Sequence, residues 1–139
     1  MKNFLEKYID DFSNLVISSE EMINDLLAVK DALVSASKKG NKSIIVGNGG
    51  SAAIASHVSV DLTKNAGIRC INFNESDLIT CFANDYGYEH WVEKAVEFYG
   101  DEGDVFVAIS SSGSSDNILN GCRAAREKKF SKVITLSGM

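Results

Sequence analysis

Two loops in this chain concentrate groups that can hold an anion. One, Ser110-Ser111-Ser112-Gly113-Ser114-Ser115, places five serines in six positions, between a strongly apolar run and a helical stretch that opens with Asp116-Asn117. Hydroxyls, free backbone N–H groups and the positive end of a helix dipole converge at such a corner, which is the chemistry a phosphomonoester requires. A capping or linker role is the competing reading, and the position directly after an apolar strand speaks against it. The other loop, Gly47-Asn48-Gly49-Gly50-Ser51, is a glycine turn ahead of Ala52-Ala53-Ile54-Ala55. Its glycine spacing fits neither G-x-G-x-x-G nor G-x-x-x-x-G-K-[ST], so dinucleotide and ATP binding lose most of their support. A turn that merely lets the helix pack closely remains open.

Titratable residues are sparse around these loops. His57 and Asp61 stand four apart and share a helix face, where they serve as acid, base or metal ligands or form a plain surface pair. Asn84-Asp85-Tyr86-Gly87 is a polar corner that either meets a sugar hydroxyl or caps the next helix, while His90 and Trp91 are expected to be packing residues. Cys70, Cys81 and Cys122 are odd in number and form no C-x-x-C pair, so they are read as buried thiols.

These residues need elements to position them. From residue 4 to residue 39 the apolar positions recur at helical spacing, through Leu5, Ile9, Phe12 and Val16 and then Met22, Leu26, Val29 and Leu33. Two helices fit, the first ending near Val16. A capping box with Ser18 as N-cap and Glu21 opens the second, which Gly40 closes. The long apolar stripe serves either intrachain packing or another subunit. Beyond Gly40, short β-branched runs at 43–46, 69–73, 104–109 and 132–136 read as buried strands, and helical stretches at 51–65, 76–99 (split) and 115–129 alternate with them. A parallel α/β sheet with helices on both faces follows.

Composition bounds the rest. The 139 residues allow one core, and 14 basic against 19 acidic residues, with three arginines in all, argue against nucleic acid as a partner. No run approaches the ~20 apolar residues of a membrane helix and the N-terminus lacks a signal-peptide core, so a cytoplasmic protein with no membrane partner is expected.

Taken in order, VGNGGSAAIASH, FNESDLITCFANDYGY and ISSSGSSDNIL resemble the sugar isomerase (SIS) domain, most closely its phosphoheptose isomerase group. The likeness covers nearly the whole chain. It implies a flavodoxin-like three-layer α/β/α sandwich, a single domain over 1–139 with N-terminal helices (1–40) and a parallel core (41–139), and a homotetramer built on those helices. It further implies a sugar-phosphate substrate, with sedoheptulose 7-phosphate converted to D-glycero-D-manno-heptose 7-phosphate through an enediol for lipopolysaccharide or capsule heptose. By the same resemblance Ser110, Ser111, Ser112 and Ser115 hold the phosphate, Asn48, Gly49, Gly50 and Ser51 meet the sugar, and Asp85 lies at the rim. Asp61 stands where the family has its catalytic glutamate, with His57 as companion, and the same two are the candidate zinc ligands; phosphate binding itself is expected to need no cofactor. The family pattern continues to a fifth strand and a helix carrying another histidine, whereas this sequence stops at Ser137-Gly138-Met139. The expectation is accordingly a C-terminally short domain, weak or inactive by itself. A non-catalytic phosphosugar sensor or interaction module, similar to the replication-initiator-associating members, is the alternative.

Overall fold

The computed structural model describes residues 1–16 and 19–138. The chain divides into two compact units, Met1–Lys30 and Asp31–Met139. The first holds helix α1 (Lys2–Leu15) and the start of α2 (Glu20–Lys38), which ends in the second. The capping serine expected at Ser18 lies outside the described residues. At the start of α2, Ser19 Oγ accepts the Met22 N–H at 3.1 Å, and Glu20 and Glu21 favour the positive end of the helix. Helix α1 buries none of its residues, and Phe4, Leu5, Tyr8, Ile9, Phe12 and Leu15 are all at least half exposed.

In the second unit β1 (Ser43–Gly47), α3 (Gly50–Lys64), β2 (Cys70–Ile71), α4 (Ser76–Tyr86), a 3-10 turn (Tyr88–His90), α5 (Trp91–Tyr99), β3 (Val105–Ser110), α6 (Asp116–Glu127) and β4 (Lys132–Ser137) follow in turn. The sheet is parallel throughout in the order β2-β1-β3-β4. From the adjacent strands β1 and β3 the chain leaves in opposite directions, through α3 to β2 and through α6 to β4. Right-handed crossovers therefore put α3 and α6 on opposite faces, and the C-terminal ends of β1 and β3 flank the switch-point crevice.

Strands covered on both faces are apolar throughout. Every residue of β1 is buried, and Ile44, Val46, Phe106 and Ala108 join Trp91, Val92, Val96 and Ile118 in one core. Two strands depart from the expected burial. Only Ile134 of β4 is buried, because β4 ends the sheet order and pairs with β3 alone among the described residues. The strand expected at 69–73 shrinks to Cys70–Ile71, because Asn72 and Asn74 leave the sheet to clamp α3. Asn72 Nδ2 donates to Ser59 Oγ at 2.8 Å, and Asn74 Nδ2 donates to Ala52 O at 2.8 Å and Ser56 Oγ at 2.7 Å.

At the opposite end of the sheet, Asp104 is almost fully buried, and its carboxylate accepts from Lys42 N (3.0 Å), Asp101 N (2.9 Å) and Lys42 Nζ (2.7 Å). This ties the entry of β1 to the entry of β3. Cys70 and Cys122 are buried as expected, and burial pushes the Cys70 thiol up to about 11 and Cys122 in the same direction. Cys81 is a correction: it is exposed, because α4 buries no residue and Cys81 lies on its outer side next to Asp85. Trp91 packs in the core, but His90 is half exposed, with Nδ1 2.5 Å from Glu93 Oε2.

Candidate active site

Both anion-type loops open at the switch point. At the first, Gly47 permits the close approach of strand and helix, since a Cβ there would lie 2.6 Å from Ser51 Cβ and 2.7 Å from its backbone carbon. Gly49 caps α3 with φ 54° and ψ −119°, a conformation that side-chain-bearing residues rarely adopt. Asn48 O accepts the Ser51 N–H at 3.0 Å and so closes the turn.

At the second loop Ser115 caps α6, its carbonyl accepting from the Ile118 and Leu119 N–H groups at 3.0 Å each. The N–H groups of Asp116 and Asn117, ahead of those two, have no partner within the helix and are open to an anion. Ser110 Oγ and Ser115 Oγ stand 3.5 Å apart, a long contact that leaves both hydroxyls capacity for a ligand. Ser112 Oγ accepts the Ser114 N–H at 3.2 Å, and Ser111 O accepts the Gly138 N–H at 3.1 Å, so the loop is held from inside and from the end of β4.

The loops meet in two connected spaces. Asn48, Ser51, Ile109, Ser110, Ser111 and Ser115 line a niche of about 50 Å³. Asn48 and Ser115 also border a wider cleft of about 350 Å³, completed by Tyr88, Glu89, Asp116 and Asn117. Across it Asn48 and Asn117 pair head to head, each carboxamide donating to the other at 2.9 Å, and the Tyr88 hydroxyl donates to Asn48 Oδ1 at 3.3 Å.

The expected titratable residues lie elsewhere. His57 Nε2 is 3.4 Å from Asp61 Oδ2, with side-chain exposures of 81% and 51%, and Asn65 Nδ2 also donates to Asp61 Oδ1 at 3.0 Å. Asp61 follows Ser51 by ten residues on a continuous helix, which at the α-helical rise is about 15 Å along the axis. One chain therefore does not bring Asp61 to its own serine loop. Asp85 is exposed at the end of α4, accepting from Asn84 Nδ2 at 2.9 Å, and borders neither the niche nor the cleft; Tyr88, beyond the break at Gly87, makes the connection to Asn48.

A zinc site needs three or four protein ligands. Among the described residues no group of three or more His, Cys, Asp or Glu side chains could hold a metal, so His57 and Asp61 alone do not fit the ion. Asn117 and Tyr88 are the residues that sequence reasoning did not assign. The available signal was a poor helix former in the first turn of a helix, directly after the serine loop.

A parallel sheet with two helix-opening loops, one glycine-rich and one serine-rich, at its switch point defines an α/β protein with a ligand-sized crevice there. The chain belongs to the SIS domain family, whose profile matches residues 7–138. It is 38% identical over 130 residues to the phosphoheptose isomerase of Hamiltonella defensa, spanning 90% of this chain and 63% of that one. It is 36% identical to the Fusobacterium nucleatum phosphoheptose isomerase, spanning 96% and 71%. The structure of a phosphoheptose isomerase from Francisella tularensis superposes with a TM-score of 0.82 at 31% identity, covering 97% of this chain and 74% of that one. The chain thus spans about two thirds of the length of these curated relatives. None of the helices among the described residues is long and apolar enough to cross a membrane.

Proposed function

We propose that this chain serves a phosphosugar aldose–ketose isomerase acting on sedoheptulose 7-phosphate. The observation that carries the reading is the serine loop at the start of α6, facing the Asn48–Ser51 turn across one crevice. Ser110, Ser111, Ser112 and Ser115 take the phosphate, helped by the N-terminus of α6. Asn48, Gly49, Gly50 and Ser51 meet the sugar, and Asp85, outside both spaces in the single chain, belongs to the outer rim. The relatives' names favour catalysis over a sensor or interaction module.

Isomerisation through an enediol requires a base to remove a carbon-bound proton and a group that moves protons between the two oxygens. Asp61 is our base and His57, on the same exposed face, its companion. Since neither residue lines the chain's own niche or cleft, the pair serves the cleft of a second copy, and turnover depends on assembly. A homo-oligomer, a tetramer by family resemblance, is supported by the exposed apolar side chains of α1. Because a charged phosphate ester does not cross a bilayer, the reaction belongs in the cytoplasm, where it would supply lipopolysaccharide or capsule heptose.

The test is conversion of sedoheptulose 7-phosphate to the heptose 7-phosphate by the wild-type chain and by Asp61→Asn. Turnover lost in the variant with binding retained supports the reading; binding without turnover both by this chain and by a version extended through the family's C-terminal helix returns the sensor alternative.

A further inference from the structure

We propose that Asn117 is a positioning residue, holding the Asn48 carboxamide in place across the crevice where a ligand meets it. The proposal rests on the phosphosugar reading of the cleft and adds to it the residue that positions Asn48. Asn117 is 3% exposed in the first turn of α6, while Asn48 directly follows β1, so their pairing spans the crevice between the two loops. A carboxamide has two acceptor sites on oxygen and two N–H donors. Asn48 Oδ1 uses both, one for Asn117 Nδ2 at 2.9 Å and one for the Tyr88 hydroxyl at 3.3 Å. Asn48 Nδ2 uses one donor on Asn117 Oδ1 at 2.9 Å and keeps the other.

The remaining N–H suits an electron-rich ligand atom: a sugar carbonyl, a hydroxyl oxygen or a phosphate oxygen. Without Asn117 the Asn48 amide is free to rotate, and its remaining N–H is no longer held toward the crevice. The buried Asn117 amide is satisfied only while the pair persists, so the crevice also keeps its spacing.

Side-chain amide spectra and binding titrations together test this. In the wild-type chain the NH2 groups of Asn48 and Asn117 should show cross-peaks to each other, and their absence overturns the proposal without any variant. In Asn117→Ala, or Asn117→Ser if alanine does not fold, the Asn48 NH2 signals should move to the position of a solvated amide. Affinity for sedoheptulose 7-phosphate should then fall by about tenfold or more, while affinity for inorganic phosphate, held by the serine loop, stays within about twofold. The double variant Asn48→Ala/Asn117→Ala should lose no more than Asn48→Ala alone, since Asn117 acts through Asn48. Additive losses, or phosphate affinity falling in parallel with the sugar phosphate, would mean that Asn117 only supports the fold. If the wild type binds neither ligand, the phosphosugar reading fails while the amide cross-peaks still decide whether Asn117 holds Asn48.

Discussion

The serine hydroxyls set how tightly a phosphate is held here, because the neighbourhood of the loop supplies no lysine or arginine to the lining of the niche. Replacing Ser115 by alanine removes a half-buried donor and the partner of Ser110 at once. We expect Ser115→Ala to weaken inorganic phosphate binding by about 1–3 kcal/mol, read by calorimetric titration. Ser112→Ala should cost less, because its hydroxyl is exposed and already accepts from Ser114 N. Equal, negligible effects in both would remove phosphate from this loop. Asp61→Asn belongs to a different step, and should cut turnover by about 10²–10⁴-fold while leaving phosphate affinity unchanged. The serine and glycine loops were legible in the sequence because their chemistry is local, a few adjacent residues at a strand-to-helix corner. Asn117 was not, since its meaning lies in a partner 69 positions away in the chain.

Among the elements, the two central strands could be read from their apolar runs and the flanking two only in part. Burial of a strand depends on its neighbours in the sheet, and β4 looks like β3 in sequence yet has a strand on one side only. Asn72 and Asn74 likewise sit in a β-branched context but bond α3. What joins the central strands at their entry is the Asp104 cluster. Burial lowers the Lys42 pKa, but the hydrogen bonds and charges of Asp101 and Asp104 outweigh it and hold the ammonium above its usual value; the Lys42 hydrogen bond holds Asp101 below the ordinary carboxylate value. A raised lysine contributes stability in full below its unfolded pKa and loses it as pH rises through the folded one. A lowered carboxylate contributes above its unfolded pKa and loses it as pH falls through the folded one. The stability gap between wild type and Lys42→Met, measured by urea unfolding, should therefore be flat from about pH 5 to pH 10 and narrow beyond either end. Asp104→Ala, which leaves two backbone N–H groups without their acceptor and Lys42 with Asp101 alone, should cost about 3–5 kcal/mol at pH 7. A loss below about 1 kcal/mol would show that the cluster does not hold the two strands together.

For the whole molecule, the exposed face that carries His57 and Asp61 and the exposed apolar side chains of α1 raise one question, which is what covers them. If a second copy does, the base and the phosphate loop of each working site come from different chains. Light scattering at micromolar concentration should then find an oligomer, and a well-folded monomer would count against it. The sharper test uses two variants impaired for different reasons, Asp61→Asn in turnover and Ser115→Ala in phosphate binding, assayed at a substrate concentration far below saturation. Each retains what the other lacks: the Asp61→Asn chain keeps an intact serine loop and the Ser115→Ala chain keeps an intact base. Co-expressed in one cell, they should form mixed assemblies in which random pairing restores roughly a quarter of the sites, so activity should rise above that of either variant alone. A chain that carried base and loop to the same site would behave differently, since each copy would keep its own defect whatever its neighbours. Mixed oligomers verified by differential tags, with turnover no higher than the two separate variants, would therefore remove Asp61 from the shared-site mechanism even if assembly itself is confirmed.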